Sequence, residues 1–158
     1  MLRISLAAVC SAWISGCGGT PTSPTEIPTS RLLSAPTRIV ADGKTLTLAA
    51  FVWRDFMPPA PAVGRPLQGV LRIATDDGSP VAATVAVDTS WVIHNAEVWA
   101  ATVEQQPRAD TAPHFEVVVR DGPQWGPNVT VDVVVRLRDS AGSQFLLRAA
   151  GQKIGATW

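Results

Sequence analysis

The chain has only two cysteines, Cys10 and Cys17, and both lie within its first 17 residues. The rest of the chain therefore has no disulfide framework and no cysteine ligand for zinc. Tyrosine is absent, and the only histidines are His94 and His114. A zinc site would need both histidines to converge, and no acidic residues accompany them at ligand spacing. The sequence therefore predicts neither a metal site nor an organic cofactor.

The chain has no excess of either charge, because 13 basic residues stand against 13 acidic ones. A near-neutral protein has no global field that would attract nucleic acid, so we expect no nucleic-acid partner. Catalytic motifs are also missing: no G-x-S-x-G nucleophile elbow occurs. Residues 76–78 read Asp-Asp-Gly, which favours a turn over a calcium site, since no further ligands follow at loop spacing. The sequence therefore predicts a protein that is not an enzyme.

The first 17 residues read as an export signal. Arg3 supplies a positive start, and residues 4–14 form an apolar run that is too short for a permanent spanning helix. The run ends in Ile14-Ser15-Gly16-Cys17, an aliphatic residue and two small residues before a cysteine. This pattern resembles the lipobox of bacterial lipoproteins. An ordinary secretory signal that is cleaved elsewhere is the alternative.

The resemblance implies that the Cys17 thiol receives a diacylglycerol group and that signal peptidase II removes residues 1–16. Acyl chains on Cys17 would bind the membrane, since each buried CH₂ group contributes about 0.8 kcal/mol. Gly18 follows the cysteine in place of the aspartate that often retains lipoproteins at the inner membrane. We therefore expect a lipid-anchored protein of the cell envelope, at the outer membrane of a host with two membranes, on its periplasmic or its surface side.

Residues 18–34 are rich in proline, threonine and serine, and read GGTPTSPTEIPTSRLLS. Such a composition is typical of an extended, solvated linker. The predicted organisation is therefore a signal peptide at 1–16, the lipidated cysteine and its tether at 17–34, and a folded domain at 35–158. In the alternative, Leu32 and Leu33 already belong to the first packed element.

The domain alternates short apolar stretches of period two with turn residues, as strands do. Residues 129–138 have the clearest alternation, with valines and Leu137 on one face. The pattern predicts an all-β, antiparallel β-sandwich, immunoglobulin-like in the broad sense, with seven to nine strands. A small β-barrel is the alternative. The predicted strands cover residues 37–41, 45–53, 66–75, 81–87, 91–93, 97–103, 114–120, 129–138 and 144–150.

Tryptophans are the candidate contact residues. Trp53, Trp91 and Trp99 fall in predicted strands, and we interpret them as core residues rather than sugar-stacking ones. Trp125 differs because it lies in a rigid loop, Gly-Pro-Gln-Trp-Gly-Pro at residues 122–127. It is either a lid over the core or a contact residue for a ligand.

These features predict a membrane-anchored, non-catalytic interaction or structural module. Its partners would be the membrane, through the acyl chains on Cys17, and an envelope protein or glycan. One alternative is an envelope carbohydrate-binding module that uses Trp125. Another is a periplasmic enzyme or a protease inhibitor, for which the polar stretch at residues 104–113 would be the exposed loop.

Overall fold

The computed structural model describes residues 27–158, which contain ten β-strands and one short helix. No helix among these residues has both the length and the apolar character needed to cross a bilayer. The elements in chain order are α1 (Thr29–Leu33), β1 (Arg38–Ala41), β2 (Lys44–Asp55), β3 (Gln68–Thr75), β4 (Ala86–His94), β5 (Glu97–Ala101), β6 (Val103–Gln105), β7 (His114–Val119), β8 (Thr130–Arg138), β9 (Gln144–Lys153) and β10 (Gly155–Thr157).

Two sheets form the fold. The six-stranded sheet runs β1-β2-β3-β7-β6, with β10 pairing in parallel with the last residues of β2. The four-stranded sheet runs β5-β4-β8-β9 and is antiparallel throughout. The sheets are not closed into a barrel, so the predicted all-β sandwich is confirmed.

The core lies between the sheets and consists of alternate strand residues. Val131, Val133, Val135 and Leu137 of β8 are buried there, as their alternation predicts. Gly69 lies on β3 between β2 and β7, and its lack of a side chain leaves room for theirs. A Cβ atom at this position would lie only 2.8 Å from the Val52 side chain. The predicted hairpin tip is also present: Asp42 and Gly43 both have positive φ, as a two-residue turn between β1 and β2 requires.

One predicted strand is wrong over most of its length. Residues 81–85 are not in a strand, and β4 begins only at Ala86 and continues through Trp91 to His94. The Arg108 guanidinium donates to the carbonyl oxygens of Ala82, Ala83 and Val85, at 2.6 to 2.9 Å. The Arg108 side chain therefore binds carbonyl oxygens that, in a strand, would accept hydrogen bonds from the backbone of a neighbouring strand.

One predicted strand divides because the chain changes sheet. Residues 97–103 were expected to form one strand, but β5 lies in the four-stranded sheet and β6 in the six-stranded sheet. The chain crosses again between β9 and β10, where Ile154 is fully buried. The first crossing divides one predicted strand and the second adds β10, while the predicted strands 81–87 and 91–93 are joined in β4, so the described strands number ten.

The tether predicted for residues 17–34 is shorter in the structure, because residues 27–34 pack against the domain. Pro28 precedes α1 and accepts hydrogen bonds from the backbone N–H groups of Arg31 and Leu32. Leu32 is fully buried in an apolar cluster with Trp91 and Val134 on the outer side of the four-stranded sheet. Residues 27–34 therefore belong to the packed domain, although their composition is that of a linker.

Arg136 and Arg138 lie on β8, a central strand of the four-stranded sheet. Both bind Asp88 of β4: Arg136 Nε lies 2.6 Å from Oδ1, and Arg138 Nε donates to Oδ2. Burial raises the pKa of Asp88, but hydrogen bonds from Arg138, Arg136 and Thr89 outweigh it and hold the pKa below its usual value. The ionised carboxylate therefore joins β4 to β8.

The Asp88 cluster predicts a loss of stability in acid. A carboxyl with a lowered folded-state pKa contributes stability above its unfolded pKa of about 3.9 and loses it as the pH falls through the folded pKa. We expect the free energy of unfolding, measured by urea titration, to fall from about pH 5 to about pH 2. Asp88→Asn should reduce this slope, and Asp121→Asn, at an exposed loop position, is the control. An unchanged slope in Asp88→Asn would contradict the assignment.

Candidate binding surface

The outer sides of the two sheets differ. On the four-stranded sheet, α1 covers Trp91, Ile93 and Val134. On the six-stranded sheet, no described residue covers the middle of β2, where Phe51 is 64% exposed. A phenylalanine on a sheet normally has its ring buried, because burial of an apolar side chain is favourable by about 2 kcal/mol. An exposed ring on the outer side of a sheet therefore marks a candidate binding surface.

The exposed side of β2, β3 and β7 is organised in three rows. The middle row is apolar: Phe51 pairs with Val70, and Val70 pairs with Val118. The row on one side contains Ala49, Arg72 and Glu116, which are also paired in register. The row on the other side contains Trp53, Gln68 and Arg120. Neighbouring rows are two residues apart along each strand, or about 7 Å.

Phe51 and Trp53 share this side because they are two residues apart on β2. Their ring centroids are 5.0 Å apart and the ring planes are inclined by 32°. Trp53 is half-buried, and so are Val70 and Val118. We call the surface formed by Phe51, Trp53, Val70 and Val118 the aromatic face.

Polar groups border the aromatic face on both sides. Arg72 donates from Nε (3.0 Å) and Nη2 (2.7 Å) to the same Glu116 oxygen, Oε1. On the opposite side Arg120 Nη1 lies 3.5 Å from Gln68 Oε1. A shallow trough of about 240 Å³ lies between Phe51 and the Arg72–Glu116 pair, with Ala49 and Val70 in its lining. Aromatic rings, donors and acceptors thus meet on one solvent-exposed surface.

Sequence reasoning missed this surface, since Trp53 was interpreted as a core residue. The signal was available in the alternation of residues 45–53, because Phe51 and Trp53 have the same parity as Thr45 and Thr47. The opposite parity carries Leu46, Leu48 and Val52, all buried in the sandwich. The size of the Trp53 side chain favours a core position, but its place in the alternation puts it on the outer side of β2.

Trp91 is buried, but on the outer side of the four-stranded sheet beneath α1 instead of between the sheets. Trp99 is half-buried and packs against the core, with Gly122 against its six-membered ring. The interpretation of both as packing residues agrees with these contacts, although only Trp99 contacts the main core.

Trp125 lies in the loop between β7 and β8, on the opposite side of β2 from the aromatic face. It is half-buried, packs against the main core, and has its ring centroid 5.4 Å from that of His94. These contacts are those of a lid over the core. A binding role for Trp125 stays a prediction.

Arg54 is only 4% exposed, and its side chain holds the loop that carries Trp125 in place. Its Nη1 donates to the carbonyl oxygens of Gln124 (3.3 Å) and Gly126 (3.0 Å), and its Nε to that of Arg65 (3.0 Å). Its Nη2 donates to the Val63 carbonyl and to Gln124 Oε1. One buried guanidinium therefore joins the loop after β2 to the loop that carries Trp125.

The remaining polar candidates have structural contacts. His94 ends β4 in the four-stranded sheet, while His114 begins β7 in the six-stranded sheet. Asp77 accepts hydrogen bonds from the backbone N–H (3.0 Å) and hydroxyl (2.5 Å) of Ser79, which lower its pKa and define a turn. Within residues 27–158, no three His, Cys, Asp or Glu side chains form a group that could hold a metal ion.

The stretch at residues 104–113, considered as an inhibitory loop, is attached to the domain. Arg108 places its guanidinium carbon 4.2 Å from the centre of the Phe115 ring, and it also binds the carbonyl groups before β4. Burial lowers the pKa of Arg108, while the nearby Asp110 opposes this effect. The loop is therefore fixed at its middle by a cation–π contact and hydrogen bonds.

A larger groove, of about 560 Å³, lies beside α1, with Ile27, Arg31, Phe145 and Leu146 in its lining. Arg136 also lines it, but its guanidinium already binds Asp88.

The lipobox residues Ile14, Ser15, Gly16 and Cys17 lie outside the described residues. Comparison of the chain with family models, curated proteins and solved structures found no match.

Proposed function

We propose that this chain is a lipid-anchored protein of the bacterial cell envelope whose β-sandwich is a non-catalytic binding module. In this proposal the acyl chains on Cys17 hold the protein at the membrane, and the aromatic face contacts the partner. The exposed Phe51 beside Trp53 is the observation that carries the binding role, because solvent-exposed aromatic rings are enriched where proteins meet ligands.

The position of α1 supports a contact surface that faces away from the anchor. Ile27 and Leu32 pack on the outer side of the four-stranded sheet, so the anchored segment enters the domain there. The aromatic face is on the other sheet, whose backbone lies about 10 Å away across the core. Residues 18–26 can span at most about 36 Å between Cys17 and Ile27. An anchor attached on one side therefore leaves the aromatic face directed away from its attachment.

Site-specific crosslinking in the native host tests the binding role. A photo-reactive amino acid at position 51 should give a specific adduct in intact envelopes, because this position lies at the centre of the proposed contact. The matched control is the same amino acid at Ala150, an exposed position on β9. Adduct formation at 51 that does not exceed the level at 150 would contradict the proposed contact surface.

A further inference from the structure

We propose that the ligand of the aromatic face is a glycan, whose pyranose rings stack on Phe51 and Trp53 while their hydroxyl groups bind the flanking polar rows. This inference rests on the proposed binding function and specifies its ligand class.

The aromatic rings match one side of a sugar ring. A pyranose presents C–H groups on its faces, and their weakly positive hydrogens are attracted to the negative face of an aromatic ring. Phe51 is the exposed ring and Trp53 extends it by 5.0 Å along β2. Gly155 of β10 pairs with Trp53 and has no side chain that could cover the indole from that side. The pair therefore forms an open platform.

The polar rows match the edge of a sugar ring. Sugar hydroxyl groups both donate and accept, and neighbouring hydroxyls can bind a carboxylate and a guanidinium together. Arg72 uses two N–H donors on Glu116 Oε1, so Glu116 Oε2 and the other Arg72 donors face solvent without a partner among the described residues. The Arg72 and Glu116 side chains are 54% and 32% exposed. On the other side Gln68, which pairs in register with Trp53, offers an amide directly beside the platform.

Other occupants fit this surface less well. A protein interface of standard size buries about 800 Å² per partner around a core depleted of charge, whereas here an ion pair borders the apolar row directly. A membrane is disfavoured because the anchored segment enters through the opposite sheet. The trough of about 240 Å³ is below the usual size of drug-binding pockets, about 300–1,000 Å³, as expected for an open platform that binds one sugar unit at a time.

Binding of the mature, full-length protein in detergent to three probes tests the inference: chitohexaose, cellohexaose and purified peptidoglycan sacculi. We expect the wild-type protein to bind at least one probe, and Phe51→Ala and Trp53→Ala each to weaken that binding at least about tenfold. Arg72→Ala should weaken it by a smaller factor. Trp158→Ala, at an exposed tryptophan, is the aromatic control and should retain wild-type affinity. Thermal melting checks that each variant is folded.

Three outcomes would overturn the glycan assignment. They are a folded Phe51→Ala variant with unchanged affinity, wild-type protein that binds none of the probes, and a self-association that Phe51→Ala abolishes. The crosslinking experiment distinguishes this failure from failure of the proposed function. A specific protein adduct at position 51 without binding to any probe would keep the binding module and discard the glycan.

Discussion

Replacing Cys17 with serine is expected to move the protein from the membrane fraction into the soluble fraction. A serine hydroxyl cannot form the thioether through which the diacylglycerol group is attached. Without acyl chains, the protein has only its apolar run at residues 4–14, which is too short for a permanent spanning helix, and the weak interactions of a near-neutral surface with lipid, whereas two or three chains make membrane binding effectively stable. The measurement is immunoblotting of membrane and soluble fractions, with mass spectrometry of the first residue of the mature protein.

Cys10→Ser is the matched control, because Cys10 lies within the apolar run and has no small residue pair of the lipobox type before it. This variant should remain in the membrane fraction. A mature wild-type protein with an unmodified residue 17, or with a different first residue, would contradict the anchor. The proposed role at the envelope would then lose its support, while the contacts of residues 27–158 would be unaffected.

Arg54→Ala is expected to lower the free energy of unfolding by about 3 kcal/mol, the largest stability effect that we predict. The substitution removes five hydrogen bonds from a buried guanidinium and leaves the carbonyl groups of Gln124, Gly126, Arg65 and Val63 without their donor. A buried acceptor without a partner costs about 1–3 kcal/mol. Urea unfolding followed by tryptophan fluorescence measures the change.

Arg120→Ala is the control for Arg54→Ala, since it removes an exposed guanidinium from the same sheet and should change the stability by less than about 0.5 kcal/mol. Arg54→Lys should recover only part of the loss, because an ammonium group cannot reproduce the planar set of five donors. A loss below about 1 kcal/mol in Arg54→Ala would mean that solvent replaces the guanidinium and that the Trp125 loop does not depend on it.

The strands of the sandwich could be predicted from particular residues. In β8, alternate valines and Leu137 face the core, and this period of two identifies both the strand and its buried side. Asp42-Gly43 identified the first hairpin because few other residues adopt positive φ in two successive positions. The predicted export signal likewise rests on a local pattern, which is why the lipidation prediction depends on the sequence alone.

The candidate site could be predicted only in part. Parity along β2 was enough to place Phe51 and Trp53 together, but the sequence did not reveal which side of the sheet is covered. Trp91 and Val134 also point outward, and they are buried only because α1 docks on them. The Arg72–Glu116 pair joins residues 44 positions apart, a contact that depends on the pairing of β3 with β7.

The sequence by itself determined the local properties of this protein: its period-two strands, its tight turns and the absence of thiols from its domain. The tertiary structure alone decided which outward-facing side chains are covered, where the chain changes sheet, and how Arg54 joins two loops. The physical reason is that strand and turn preferences depend on neighbouring residues, whereas burial and hydrogen-bond partners depend on residues that are distant in the chain.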